Sequence, residues 1–147
     1  MFVSLPLLTI FLSLWLGTEA NTFANPIAMS AADPWLLYYK GFYYMTDTTG
    51  DNSIRMRKSK TLDGLRSADH HLIYTLNGHN MWAPEFHLVN GRWYLYYTAG
   101  ASNDLGSQRI HVAESDRDDP MGPYHFKVCL FKPEVTSNHI IMTLRPI

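Results

Sequence analysis

Ala32-Asp33-Pro34-Trp35-Leu36-Leu37-Tyr38-Tyr39-Lys40-Gly41-Phe42-Tyr43-Tyr44-Met45-Thr46-Asp47-Thr48 is a pattern that this chain writes twice, the second time fifty residues later. At that offset Pro34 recurs as Pro84, Gly41 as Gly91, Tyr43 as Trp93, Tyr44 as Tyr94, Met45 as Leu95 and Thr48 as Thr98. Turn and strand positions coincide, so this is an internal repeat, and a period near fifty residues points to blades or solenoid units. One acid breaks the symmetry: Asp33 has Ala83 as its counterpart.

Each copy reads as four strands. In the first, aromatic-rich runs over 35–39 and 42–46 flank the two-residue turn Lys40-Gly41, which predicts a β-hairpin. A polar loop is expected over 47–52, a third strand over 54–59, a turn over 61–64 and a weak fourth strand over 71–75. The second copy follows with runs over 85–89 and 92–98 about Asn90-Gly91, then 109–115 and 124–130. Late in the unit the offset grows to 56, Ile54 matching Ile110, as a loop insertion between repeats would produce. Four short strands per unit without an amphipathic helical stretch is the sequence form of a β-propeller blade. Phe42 to Met45 and Trp93 to Tyr97 are large and apolar on both faces, which calls for cover on both sides. An open sandwich is the alternative, though its strands would alternate with polar residues.

Two blades are countable, over 32–78 and 79–131. The stretch 132–147 reads as a divergent tail with no third aromatic hairpin. Uncovered blade faces rich in Tyr and Trp predict instability or self-association of this chain. Residues 1–20 read as a secretory signal peptide, with an apolar run from Phe2 to Leu16 and cleavage expected after Ala20; 21–31 read as an extended approach segment. The expected location is extracellular, with no membrane contact once the leader is removed. Cys129 is the only cysteine, so no internal disulfide can form and the fold rests on its core.

Twelve basic against thirteen acidic side chains give a net charge of −1, which argues against nucleic acid as a partner. Arg55, Arg57, Lys58 and Lys60 form a local basic run, expected to alternate between strand faces as a solvated segment. The seven histidines show no ligand spacing, and no metal is assigned.

Taken together, Ala32-Asp33-Pro34-Trp35, the loop 48–52, Lys58-Ser59-Lys60-Thr61-Leu62, Met81-Trp82-Ala83-Pro84-Glu85, and Glu114-Ser115-Asp116 followed by Pro120-Met121-Gly122-Pro123-Tyr124 resemble the first two blades of glycoside hydrolase family 43. The resemblance runs from about Asn25 to Phe131. It implies an all-β, five-bladed propeller, of which this chain carries about two blades. It further implies an inverting hydrolase of arabinofuranosyl or xylosyl linkages in plant cell-wall polysaccharide, most simply an α-L-arabinofuranosidase or endo-arabinanase. Some complete members carry an axial calcium ion with a ligand from a later blade, so no cofactor is expected here.

Inversion requires a carboxylate base and a carboxylic acid about 6.5–9.5 Å apart. The resemblance makes Asp33 the general base, in the family's Asp-Pro motif. The family's acid, a Glu, and the Asp that tunes it match no position of this chain. Trp82 and Trp35 are candidates to stack on sugar, and both could equally be core residues; Asp51 and Asn52 could hydrogen-bond a hydroxyl or simply form a polar loop. Glu85 reads as a pocket wall or structural residue. A rival reading is a noncatalytic carbohydrate-binding or interaction module; a third is the nonfunctional product of an interrupted gene.

Overall fold

The computed structural model describes residues 24–130 in full and the backbone of 134–136 and 139–141. The signal-peptide reading over 1–20 and most of the tail 132–147 lie outside the described residues. Two four-stranded antiparallel sheets follow one another along the chain. The first is ordered β1 (Ala32–Tyr39), β2 (Phe42–Thr49), β3 (Ser53–Ser59), β4 (His71–Thr75); the second is β5 (His79–Val89), β6 (Arg92–Gly100), β7 (Arg109–Ser115), β8 (Tyr124–Cys129). A short antiparallel pair, β9 (Glu134–Thr136) with β10 (His139–Ile141), comes after them. No α-helix is found among the described residues; Asp63–Arg66 and Leu105–Ser107 are single 3-10 turns.

The hairpins form where the turn chemistry directs them. Lys40 and Gly41 sit at φ +46° and +82°, Asn90 and Gly91 at +50° and +79°. Two successive left-handed residues are what a tight hairpin turn needs to match strand twist.

The sheets pack face to face. Tyr44, Ile54, Met56 and Tyr74 of the first meet Met81, Phe86, Trp93, Leu95 and Tyr97 of the second in one buried cluster. Trp93 anchors it, with ring contacts to Tyr39 at 4.9 Å and Phe86 at 5.7 Å. Fully burying one such side chain contributes about 1.5–3 kcal/mol. Within the cluster the Tyr97 hydroxyl donates to that of Tyr74 at 3.0 Å, and burial pushes the Tyr97 phenol well above its ordinary pKa.

The other face of the first sheet is covered too. Residues 24–30 and the turn Asp63–Arg66 lie over Met45, Asp47 and Arg57, and Leu65 is wholly buried there. Hence Tyr44 and Met45, neighbours that point opposite ways, are 3% and 5% exposed.

The second sheet is not treated alike. Tyr94 and Tyr96 on its outward face are only half-buried, and Ile110 is 43% exposed while its repeat partner Ile54 is 0%. The expectation of cover on both sides therefore holds for β2 and fails, among the described residues, for β6.

The basic run departs from expectation. Arg57 is 2% exposed and Arg55 half-buried, because Asp47, read from sequence as loop, is the sixth residue of β2 and wholly buried opposite them. Asp47 pairs in register with Arg55; one carboxylate oxygen takes Arg55 Nε, and the other lies 3.5 Å from Arg57 Nη2. A buried guanidinium needs such a partner. Lys58, on the opposite face, lies over the rings of Phe42 and Tyr44 and reaches Asp119 of the second sheet at 3.4 Å.

Candidate active-site rim

Asp33 and Ala83 open the first strands of the two sheets, and the same irregularity holds each of them. Between Ala32↔Thr48 and Trp35↔Thr46 the first strand carries one extra residue; between Trp82↔Thr98 and Glu85↔Tyr96 the fifth does likewise. Such a bulge bends the strand and re-aims a side chain. Asp33 stands at φ +50° and Ala83 at φ +49°, so the repeat extends to the backbone conformation of the residue that differs. Asp tolerates the left-handed region better than most residues, whereas Ala does not.

Side chains repeat the lock. Thr48 Oγ1 donates to the Ala32 carbonyl and Thr98 Oγ1 to the Trp82 carbonyl, both at 3.4 Å. The buried Thr46 hydroxyl donates to the Pro84 carbonyl, joining the two bulges.

This leaves the Asp33 carboxylate at the surface with one hydrogen bond among the described residues: its Oδ2 accepts the Ala83 backbone N–H at 3.1 Å. The acid of the first copy is oriented by the amide at the matching position of the second. Because Ala32 pairs with Thr48, the loop 50–52 lies at the same edge of the sheet as Asp33.

Asp51 in that loop is engaged with the strand that begins the second sheet. Its Oδ1 accepts the Asn80 N–H at 2.8 Å, its Oδ2 lies 2.9 Å from His79 Nδ1, and its own carbonyl accepts the Met81 N–H. The Asn80 N–H first, then His79, lower the Asp51 pKa below its ordinary value. The Asn52 carbonyl accepts the Leu76 N–H, and its side-chain oxygen takes the Ser53 hydroxyl. Both residues thus fasten the first sheet to the segment leading into the second.

A group with a depressed folded pKa stabilises the fold above its unfolded value, about 3.9, and that stability is lost as pH falls through the lower folded value. Acid should accordingly loosen the 79–81 junction below about pH 4. The protection of the Asn80 amide relative to its intrinsic exchange rate should fall there, and Asp51→Asn should flatten that dependence; an identical pH profile of protection in the variant would refute the role.

Trp82 is 41% exposed at the rim, beside Ala83. Trp35 is half-buried against the shared core, its ring 5.2 Å from His87, and its indole N–H finds no acceptor within the described residues. Glu85 occupies the repeat position of Trp35; just as Trp35 faces the second sheet, Glu85 lies on the second sheet's outward face. There it lies 3.1 Å from His87 Nε2 and borders a groove of about 520 Å³ with His87, Tyr96, Thr98 and Ile110. The rim therefore gathers Asp33, Trp82 and the loop bearing Asp51 and Asn52, while Trp35 and Glu85 stand between or outside the sheets.

Sequence reading missed the Asp47 pair with Arg55 and Arg57, and the part of His79. Continuing β2 three residues past Thr46 would have set Asp47 opposite Arg55. No grouping of three or more metal-ligating side chains occurs among the described residues.

Residues 23–140 match the family model described as Glycosyl hydrolases family 43. The chain is 37% identical over 112 residues to an extracellular exo-α-(1→5)-L-arabinofuranosidase of Streptomyces avermitilis, covering 71% of this chain and 23% of that protein. It is 35% identical over 123 residues to a probable arabinan endo-1,5-α-L-arabinosidase C of Neosartorya fischeri, covering 74% and 37%. Among solved structures it resembles an α-L-arabinofuranosidase from Lactobacillus brevis, with a TM-score of 0.68 and 29% identity over 76% of this chain and 39% of the other. The chain thus spans less than two fifths of each of these proteins.

Proposed function

The chain belongs to glycoside hydrolase family 43, and on that premise we propose that it supplies the base-bearing part of a secreted inverting glycosidase that cleaves α-L-arabinofuranosyl linkages. The observation that carries the proposal is Asp33: an exposed carboxylate lifted from its strand by a bulge and aimed by the Ala83 N–H. A base must be held in place yet open to water, and both conditions are met here.

In this mechanism Asp33 takes a proton from a water molecule on the face of the sugar opposite the leaving group. That water attacks the anomeric carbon while a carboxylic acid elsewhere in the whole protein protonates the departing oxygen. Trp82 offers a flat apolar surface for the sugar ring, and Asp51 and Asn52 border the same rim. The substrate class is arabinose-containing polysaccharide or oligosaccharide, with xylose-containing chains as the neighbouring possibility. Secretion is supported by the extracellular relatives and the apolar leader; a mature N-terminus at Asn21 in culture medium checks it.

The exposed Trp82 favours a second reading, a carbohydrate-binding propeller without turnover. Release of arabinose from an aryl arabinofuranoside by the complete protein, lost in Asp33→Asn, selects the enzyme. Sugar binding with no turnover in the unaltered protein selects the module.

The outward face of the second sheet supports self-association of this chain. Sedimentation should show concentration-dependent species that Ile110→Lys reduces; a monodisperse monomer would refute this.

A further inference from the structure

Two rungs join the edge of the first sheet to the opening of β5. One is the Asp33 bond to the Ala83 N–H. The other is Asp51, whose carboxylate oxygens are taken by the Asn80 N–H at 2.8 Å and by His79 Nδ1 at 2.9 Å. With a protein N–H on each oxygen, Asp51 acts as a positioning group, and the side chain it positions is the imidazole of His79.

A carboxylate can only accept, so beside Asp51 the neutral imidazole carries its proton on Nδ1 and its lone pair on Nε2. The Asn80 N–H, then His79, hold the Asp51 carboxyl below its ordinary value, which keeps it charged wherever the imidazole is neutral. Nε2 meets no partner among the described residues and is not sealed off from solvent; the side chain is 45% exposed. The backbone beneath it is fastened independently. Asn80 stands at φ +53°, its carbonyl accepts Gln108 Nε2 at 3.0 Å, and the Met81 N–H reaches the Asp51 carbonyl. An exposed acceptor on a clamped backbone, its tautomer set by a carboxylate, has little freedom left to lose on meeting a hydroxyl.

At about 3.3 Å per strand residue, His79 lies about 13 Å along β5 from Ala83, less what the bulges take up. That separation suits a sugar unit beyond the one beside Asp33. We propose that His79 Nε2 accepts a hydroxyl of a neighbouring sugar in a chain substrate, which makes His79 a determinant of preference for chains over single sugars. The inference rests on the arabinose-chain reading of the rim for its substrate class.

The test is calorimetry with arabinotriose and with arabinose on the complete protein carrying Asp33→Asn, so that binding is read without cleavage. Adding His79→Ala should weaken arabinotriose about fivefold, as expected from losing one hydrogen bond, and weaken arabinose less. With His79 in place, arabinotriose should move the nitrogen resonance of Nε2 saturably, a readout that needs no folded variant. Unchanged arabinotriose affinity in His79→Ala, equal losses for both sugars, a stationary Nε2 resonance, or no saturable binding of arabinotriose would each overturn the proposal. Absence of turnover in the unaltered protein would instead sink the hydrolase reading and leave these binding results to judge His79.

Discussion

Asp33→Asn in the complete enzyme should lower kcat by about 10²–10⁴-fold, the usual contribution of general acid–base assistance. The fold should hardly notice. Asp33 is exposed, and the amide oxygen of Asn can still accept the Ala83 N–H. Asn is also at ease at positive φ, so the bulge keeps its shape. What disappears is the ability to take a proton from water. Kinetics on an aryl arabinofuranoside together with thermal unfolding check both halves. A variant with full turnover removes Asp33 from the mechanism, and a variant that loses turnover only because it unfolds removes the argument for its role.

Asp47→Ala should strongly destabilise the first sheet. It leaves Arg57, 2% exposed, with no counter-charge, and breaking a buried pair in this way costs about 3–5 kcal/mol. Against a total stability of about 5–15 kcal/mol that is a large share. The double change Asp47→Leu with Arg57→Met, which removes both charges and keeps the volume, should recover most of the loss, since apolar replacements of buried pairs are often neutral. Arg55, partly exposed, can then turn to solvent. Denaturant unfolding of the three variants is the measurement; a double variant no better than the single one would show that packing, not charge, dominates there.

The strand order of both sheets was legible because hairpin chemistry and repeated aromatics are local signals. β4 and β7 begin and end where the sequence puts them, at 71–75 and 109–115. The first strands were underestimated. β1 and β5 run back to Ala32 and His79, past prolines that a sequence reading treats as strand breakers. The bulges make room for Pro34 and Pro84, and a bulge depends on the partner strand's register, which sequence does not display. Asp47 was misread for a related reason. In a polar run, Asp47-Thr48-Thr49-Gly50-Asp51-Asn52, nothing local separates the carboxylate that will be buried from those that will not. Only the pairing of β2 with β3 decides that, by setting Arg55 and Arg57 beside it.

Of the candidate site, Asp33 stands out in the sequence by its motif and by its asymmetry in the repeat. Its orientation does not, because the group that fixes it lies fifty residues away. Asp51 and Asn52 were visible as a polar loop, but their ties to 76–81 arise only once the second sheet is in place.

The contact between Asp33 and the Ala83 amide also sets an order of events during synthesis. The carboxylate emerges from the ribosome early, on a strand that can pair with its own hairpin as soon as β2 follows. The amide that aims it arrives fifty residues later and comes into place only when the second sheet docks. Until that moment the nascent chain carries the Asp33 carboxylate without the hydrogen bond that orients it.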